Sequence, residues 1–205
     1  DDAGRPTWYV VSNGTWNAAK TIYTGDIHSP SGTPYYSYDA ARLAMGNPVG
    51  TAKLTFADRS HATFDYTING VSGRKSITRF LFGPAATPPM FGRTDMWWGG
   101  RSQNGWGLSV IQQNAALFVM WYTYDANGRP YWFAMPAGDW ISSDTYEGRV
   151  YRTTGSPWLG RSYDAGHFKP VDIGSYRLRF SGDGATFEYT IEGRSGTMAL
   201  ERFGF

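Results

Sequence analysis

The sequence predicts an all-β protein made of two tandem antiparallel up-and-down β-meander or barrel repeats, the first lacking its two N-terminal strands. Three observations carry this. The helix formers Glu and Lys are scarce, four of each, and Asp, a poor helix former, outnumbers Glu thirteen to four. The 26 Gly, 14 Tyr, 12 Phe and 9 Trp are the mixture expected of strands joined by tight turns. Third, the chain matches itself when shifted by about 124 residues.

That shift aligns Asp1 with Asp125, Gly4-Arg5-Pro6 with Gly128-Arg129-Pro130, Trp8 with Trp132, Trp16 with Trp140 and Tyr23 with Tyr146. SYDA occurs at 37–40 and again at 162–165, ATFDYTINGVSG (62–73) matches ATFEYTIEGRSG (185–196), and RFLF (79–82) matches RFGF (202–205). The chain therefore divides into a truncated repeat unit (1–83), a Pro-rich linker (84–96) and a complete unit (97–205). Unit one has no counterpart of residues 97–124. Its missing strands could have been removed ahead of Asp1, be donated in trans, or be replaced by residues 97–124 themselves. The linker prolines disfavour the last, because a continuous sheet there needs backbone donors.

The strands follow from period-2 alternation. In unit one, Tyr23, Gly25 and Ile27 share a face, as do Ala52, Leu54 and Phe56, and Phe64, Tyr66 and Ile68. In unit two the same faces carry Trp106, Leu108 and Val110; Tyr146, Gly148 and Val150; Tyr176, Leu178 and Phe180; and Phe187, Tyr189 and Ile191. Each strand buries one face and wets the other, as in an antiparallel meander. DANG, SGDG, NGV and EGR are the hairpin turns. The last strand of each unit turns Ile77 or Leu200 inward, and two residues later Arg79 or Arg202. An inward guanidinium needs a partner. For Arg202 the expected partner is the Trp106 indole, a cation–π contact of ~1–2 kcal/mol when desolvated. Trp8 and Trp132 occupy matched, structural positions in the two copies.

Gly105-Trp106-Gly107 in a first strand, with Arg202 in the last, resembles the signature of calycins, the lipocalin and avidin group of up-and-down barrels. The spacing departs from the family pattern, since Trp106 follows its glycine directly. The resemblance implies a closed barrel and, as one function, carriage of a small apolar ligand. The whole repeat (GWGL, YDANGRPYW, VYRTTG, YTIEGRSG) also resembles a β-rich module of secreted bacterial proteins, a resemblance that brings no activity with it.

Composition narrows the function. With no Cys, thiol catalysis, thiolate metal sites and disulfide scaffolds are excluded. The net charge of +2 is evenly spread, without a Lys/Arg stripe for nucleic acid. The longest apolar run, AALFVMWY, is too short for a membrane span. His28, His61 and His167 do not align with one another and read as scattered surface residues rather than metal ligands. Asp39 and Asp164, duplicated in SYDA, read as loop caps rather than a catalytic pair.

Seven of the nine Trp lie in unit two. Trp97, Trp98 and Trp158 sit in the loop-like stretches MWWGGRSQNG and GSPWLGRS, beside Arg101, Asn104 and Arg161. Aromatics on loops beside polar groups stack sugars or anchor partners. These six residues are the predicted contact surface of a non-enzymatic, cofactor-free binding module, secreted, surface-bound or periplasmic, for an extracellular glycan or surface protein. The runner-up is an assembly subunit that self-associates through an exposed sheet edge near Thr7.

Overall fold

The structure, a computed structural model, describes residues 1–82 and 92–204. In unit one, β1 (Val10–Trp16), β2 (Ile22–His28), β3 (Gly50–Phe56), β4 (His61–Ile68) and β5 (Val71–Thr78) form an antiparallel meander in chain order. Unit two comprises β6 (Asp95–Trp98), β7 (Gly107–Gln113), β8 (Ala116–Tyr124), β9 (Pro130–Met135), β10 (Gly138–Trp140), β11 (Thr145–Thr154), β12 (Lys169–Ser181), β13 (Gly184–Ile191) and β14 (Arg194–Arg202). All but β10 form a closed eight-stranded antiparallel barrel, compatible with the calycin resemblance. One residue pair, Tyr151 with Ala134, joins β11 to β9 and completes the ring, while β10 pairs along the edge of β11.

The stretch without a counterpart in unit one thus folds as β7 and β8, preceded by the short β6. Because β7 pairs with β6 and β8 with β9, residues 97–124 serve unit two and do not complete unit one. Strand β6 begins at Asp95, inside the span read as linker, and residues 83–91 lie outside the described residues.

The alternation places the side chains as expected in the barrel. Leu108, Val110, Tyr146, Val150, Tyr176, Leu178, Phe180, Phe187, Tyr189 and Ile191 are buried in one core. Tyr146 is tied into it by its hydroxyl, which accepts from the Leu117 amide at 3.2 Å. The NG and EG turns adopt left-handed φ at both central residues, Asn69 (49°) with Gly70 (78°) and Glu192 (49°) with Gly193 (77°). This is the twist-matched two-residue hairpin geometry. The two GRP turns are likewise copies. Asp1 Oδ1 accepts from the amides of Ala3 and Arg5, and Asp125 Oδ1 accepts from those of Asn127 and Arg129.

Arg202 does lie over an indole, but the ring is that of Trp97, at 4.7 Å, and not that of Trp106. Pairing sets this: β14 lies beside β6, with Arg202 opposite Trp97, whereas Trp106 precedes β7. Arg202 also donates to Asp95 at 2.7 Å and pairs with Asp183 at 3.3 Å. Trp106 is buried at the head of the barrel, its ring filling the space a side chain at Gly99 would need. Arg79 is exposed, because among the described residues no strand stands in the place of β6 in unit one.

The two units exchange contacts reciprocally. The Gly155 amide donates to Gly4 O at 2.9 Å, and the Gly32 amide to Gly128 O at 3.2 Å, so each GRP turn holds a loop of the other unit. The loops carrying SYDA each place an aromatic ring on the other sheet. Tyr35 enters the barrel mouth against Trp121 (4.8 Å) and Tyr189 (5.2 Å), and Trp158 lies on Tyr66 (4.9 Å), the counterpart of Tyr189. Burial pushes the Tyr35 phenol up to about 12. The matched Trp8 and Trp132 sit in the same seam, donating to Thr123 O (2.8 Å) and Thr7 O (3.2 Å). Thr7 is therefore only partly exposed and lies against unit two, while the outer edge of β1, the strand that follows it, pairs with no strand among the described residues. Arg5 adds a hydrogen bond to Asp125 at 2.5 Å. Burial opposes the charged form of Asp125, but the Arg129 amide and the Arg5 and Arg129 guanidiniums outweigh it and hold the carboxyl below its ordinary range.

Candidate functional site

Of the six residues expected on one contact surface, one lies in the core and five are at least partly exposed. Trp97 is completely buried beneath Arg202 and against Phe180, so it is core. Trp98 is half-buried against Phe203. Arg101 and Asn104 are exposed on the β6–β7 connection, where Asn104 O accepts from Tyr38 at 3.1 Å. Trp158 is taken up by Tyr66 of unit one, with the Lys75 ammonium 5.5 Å from its ring, and Arg161 is exposed beyond it. Of the three loop tryptophans, Trp97 thus offers no platform for a sugar ring, while Trp98 and Trp158 are partly buried.

The histidines do not converge. His28, expected at the surface, is buried, with Nδ1 3.2 Å from Gly46 O; His61 and His167 pair with Asp58 and Asp164. Among the described residues no group of three or more His, Asp or Glu could hold a metal ion, and no helix is long and apolar enough to cross a membrane. Asp39 and Asp164 cap matching short 3-10 turns, accepting from the Ala41 and Gly166 amides.

What the structure does repeat is a shallow groove on the wet face of each sheet, about 580 Å³ in unit one and about 840 Å³ in unit two. Strand register builds both from the same two rows. In unit one, Thr24, Lys53, Asp65 and Arg74 stand side by side across β2–β5, next to Asp26, Thr51, Thr67 and Ser72. In unit two the rows are Glu147, Arg177, Glu188 and Thr197, next to Arg149, Ser175, Thr190 and Ser195. The row between them, Gly25, Ala52, Tyr66 and Gly73 or Gly148, Tyr176, Tyr189 and Gly196, points inward. Each groove floor is therefore backbone, walled by polar side chains.

The second row of each groove carries the same hydroxyl pair at the same distance: Thr67 Oγ1 to Ser72 Oγ, and Thr190 Oγ1 to Ser195 Oγ, both 2.8 Å. The first row is an ion ladder. Arg177 bridges Glu147 and Glu188, and Arg74 pairs with Asp65. The hydrogen bond that Arg74 donates holds the Asp65 carboxyl below its ordinary range, and the one that Arg177 donates to Glu147 raises the Arg177 guanidinium. These groups stay charged and oriented, suited to hydrogen bonding and not to giving up a proton. The signal for the grooves was present in the sequence, as Thr and Ser five residues apart in both YTINGVS and YTIEGRS, on the face opposite the core.

Compared with known protein families, curated proteins and solved structures, the chain matches none.

Proposed function

We propose that the protein is a non-enzymatic, secreted binding module for a neutral, hydroxyl-rich polymer, an extracellular glycan, which lies along the wet faces of its sheets. The observation that carries this reading is the repetition of the groove: the same hydroxyl pair beside the same kind of ion ladder in both units. Paired hydroxyls keep further donor and acceptor capacity, and a guanidinium fixed by carboxylates offers planar donors to neighbouring sugar hydroxyls. An open, shallow groove suits a chain better than a compact ligand. Charge balance favours a neutral one: unit one sets two carboxylates (Asp26, Asp65) against Lys53 and Arg74, and unit two sets three (Asp139, Glu147, Glu188) against Arg149 and Arg177, so neither groove carries a net positive charge for a polyanion. Two grooves on one chain add avidity when one polymer reaches both.

Affinity electrophoresis in gels containing neutral or acidic polysaccharides tests the reading. Retardation by a neutral polymer is expected, with little loss on adding salt. Thr67→Val and Thr190→Val should each weaken binding about fivefold, the worth of one hydrogen bond of ~1 kcal/mol, and together by more. Unchanged retardation of the double variant, or retardation only by acidic polymers, overturns it.

A further inference from the structure

The inner face of the first sheet is apolar at its far end and, among the described residues, left uncovered. Phe56 and Ile77 expose 38% and 41% of their surface, while their counterparts in the barrel, Phe180 and Leu200, expose 2% and 5%. Tyr23, Leu54 and Phe64 are likewise only half-buried where Tyr146, Leu178 and Phe187 are wholly buried. Strands β6–β8 make the difference. They bring Trp97 against Phe180 (5.4 Å), Trp121 against Phe187 (4.9 Å) and the Leu117 amide onto Tyr146.

Three further features of unit one match that same missing layer. In the barrel, β8 pairs with β9 and β6 with β14; in unit one the corresponding outer edges of β1 and β5 pair with no strand among the described residues. The turn at Asp1–Arg5 has the hydrogen bonds of the turn at Asp125–Arg129, which receives the end of β8. Arg79 stands exposed in the place of Arg202, whose indole comes from β6. We propose that the first sheet is the docking site for a three-stranded β-ribbon with the alternating apolar face of β6–β8, including an indole for Arg79, which closes the sheet into a second barrel. The occupant is defined by shape and chemistry together: two strand edges to pair, an apolar face to cover and one guanidinium to stack.

The test joins residues 95–124 of this chain ahead of Asp1 of the full protein, reproducing the Tyr124–Asp125 connection, and follows amide hydrogen exchange. The ribbon should raise protection of β1 and β5 amides at least tenfold over the parent chain. Ile77→Asp, at an exposed position, should leave the parent's exchange pattern unchanged and abolish the gain in the extended chain. Arg79→Met should reduce it. No gain, a gain that survives Ile77→Asp, or a parent already protected at β1 and β5 through pairing of two copies would each overturn the proposal. The test contains no glycan and leaves the wall residues of the wet-face grooves unaltered, so this inference and the glycan reading fail separately.

Discussion

At Arg202 a single side chain carries three kinds of interaction: it stacks on Trp97, donates to Asp95 and pairs more distantly with Asp183, whose carboxylate is almost fully exposed. Their worth differs with burial. The two ion pairs are partly or largely wetted and contribute little, whereas the indole beneath the guanidinium is completely buried. Arg202→Met should therefore cost about 2 kcal/mol in urea unfolding, and Asp95→Ala less than about 1 kcal/mol. Equal losses would mean that the carboxylate, not the ring, holds the seam. That an inward arginine would find an indole was legible from its position after Leu200. Which indole was not: β6 is four residues long inside GRTDMWWGG, too short to show alternation, so nothing local separated Trp97 from Trp106 as its partner.

Strands and turns were the most legible level, because each repeats a two-residue rule and the repeat states it twice. The faces read from Tyr176-Leu178-Phe180 and Phe187-Tyr189-Ile191 are the buried faces, and both NG and EG form left-handed turns. The duplicated glycines Gly50 and Gly174 show how tightly these strands pack. A Cβ at Gly50 would lie 1.7 Å from Thr67 O, and one at Gly174 would lie 1.8 Å from Thr190 O, both backbone atoms that cannot swing aside. Gly174→Ala should cost about 3 kcal/mol or more, or prevent folding. Gly155→Ala, where nothing lies within 4 Å, should change thermal stability little. Comparable melting temperatures for the two variants would show that β12 can shift to accept a side chain. The grooves also belong to this level, since they are register made visible: once β4 and β5 pair, Thr67 and Ser72 must meet.

The whole molecule was the least legible level. No periodicity announces that a loop from one unit will seat a ring in the other, and Trp158 drew attention as a surface aromatic because its partner, Tyr66, lies in the other repeat. Tyr35 carried no local signal at all, yet it meets Trp121, Phe133 and Tyr189. Tyr35→Ala and Trp158→Ala should each cost about 2 kcal/mol, less than a fully buried aromatic. The parent should melt in one calorimetric transition, and the double variant in two as the units uncouple. A single transition in the double variant would place the coupling in the Gly4–Gly155 and Gly32–Gly128 backbone bonds instead.

That mutual grip has a consequence for how such repeats can multiply. A contact in which each party offers the same patch is isologous: it saturates at two and propagates no further. Each loop is spent on its sibling, so a third repeat would find neither hand open. Lengthening a protein of this kind should therefore proceed by whole couples rather than by single additions, giving beads of paired units instead of a continuous filament.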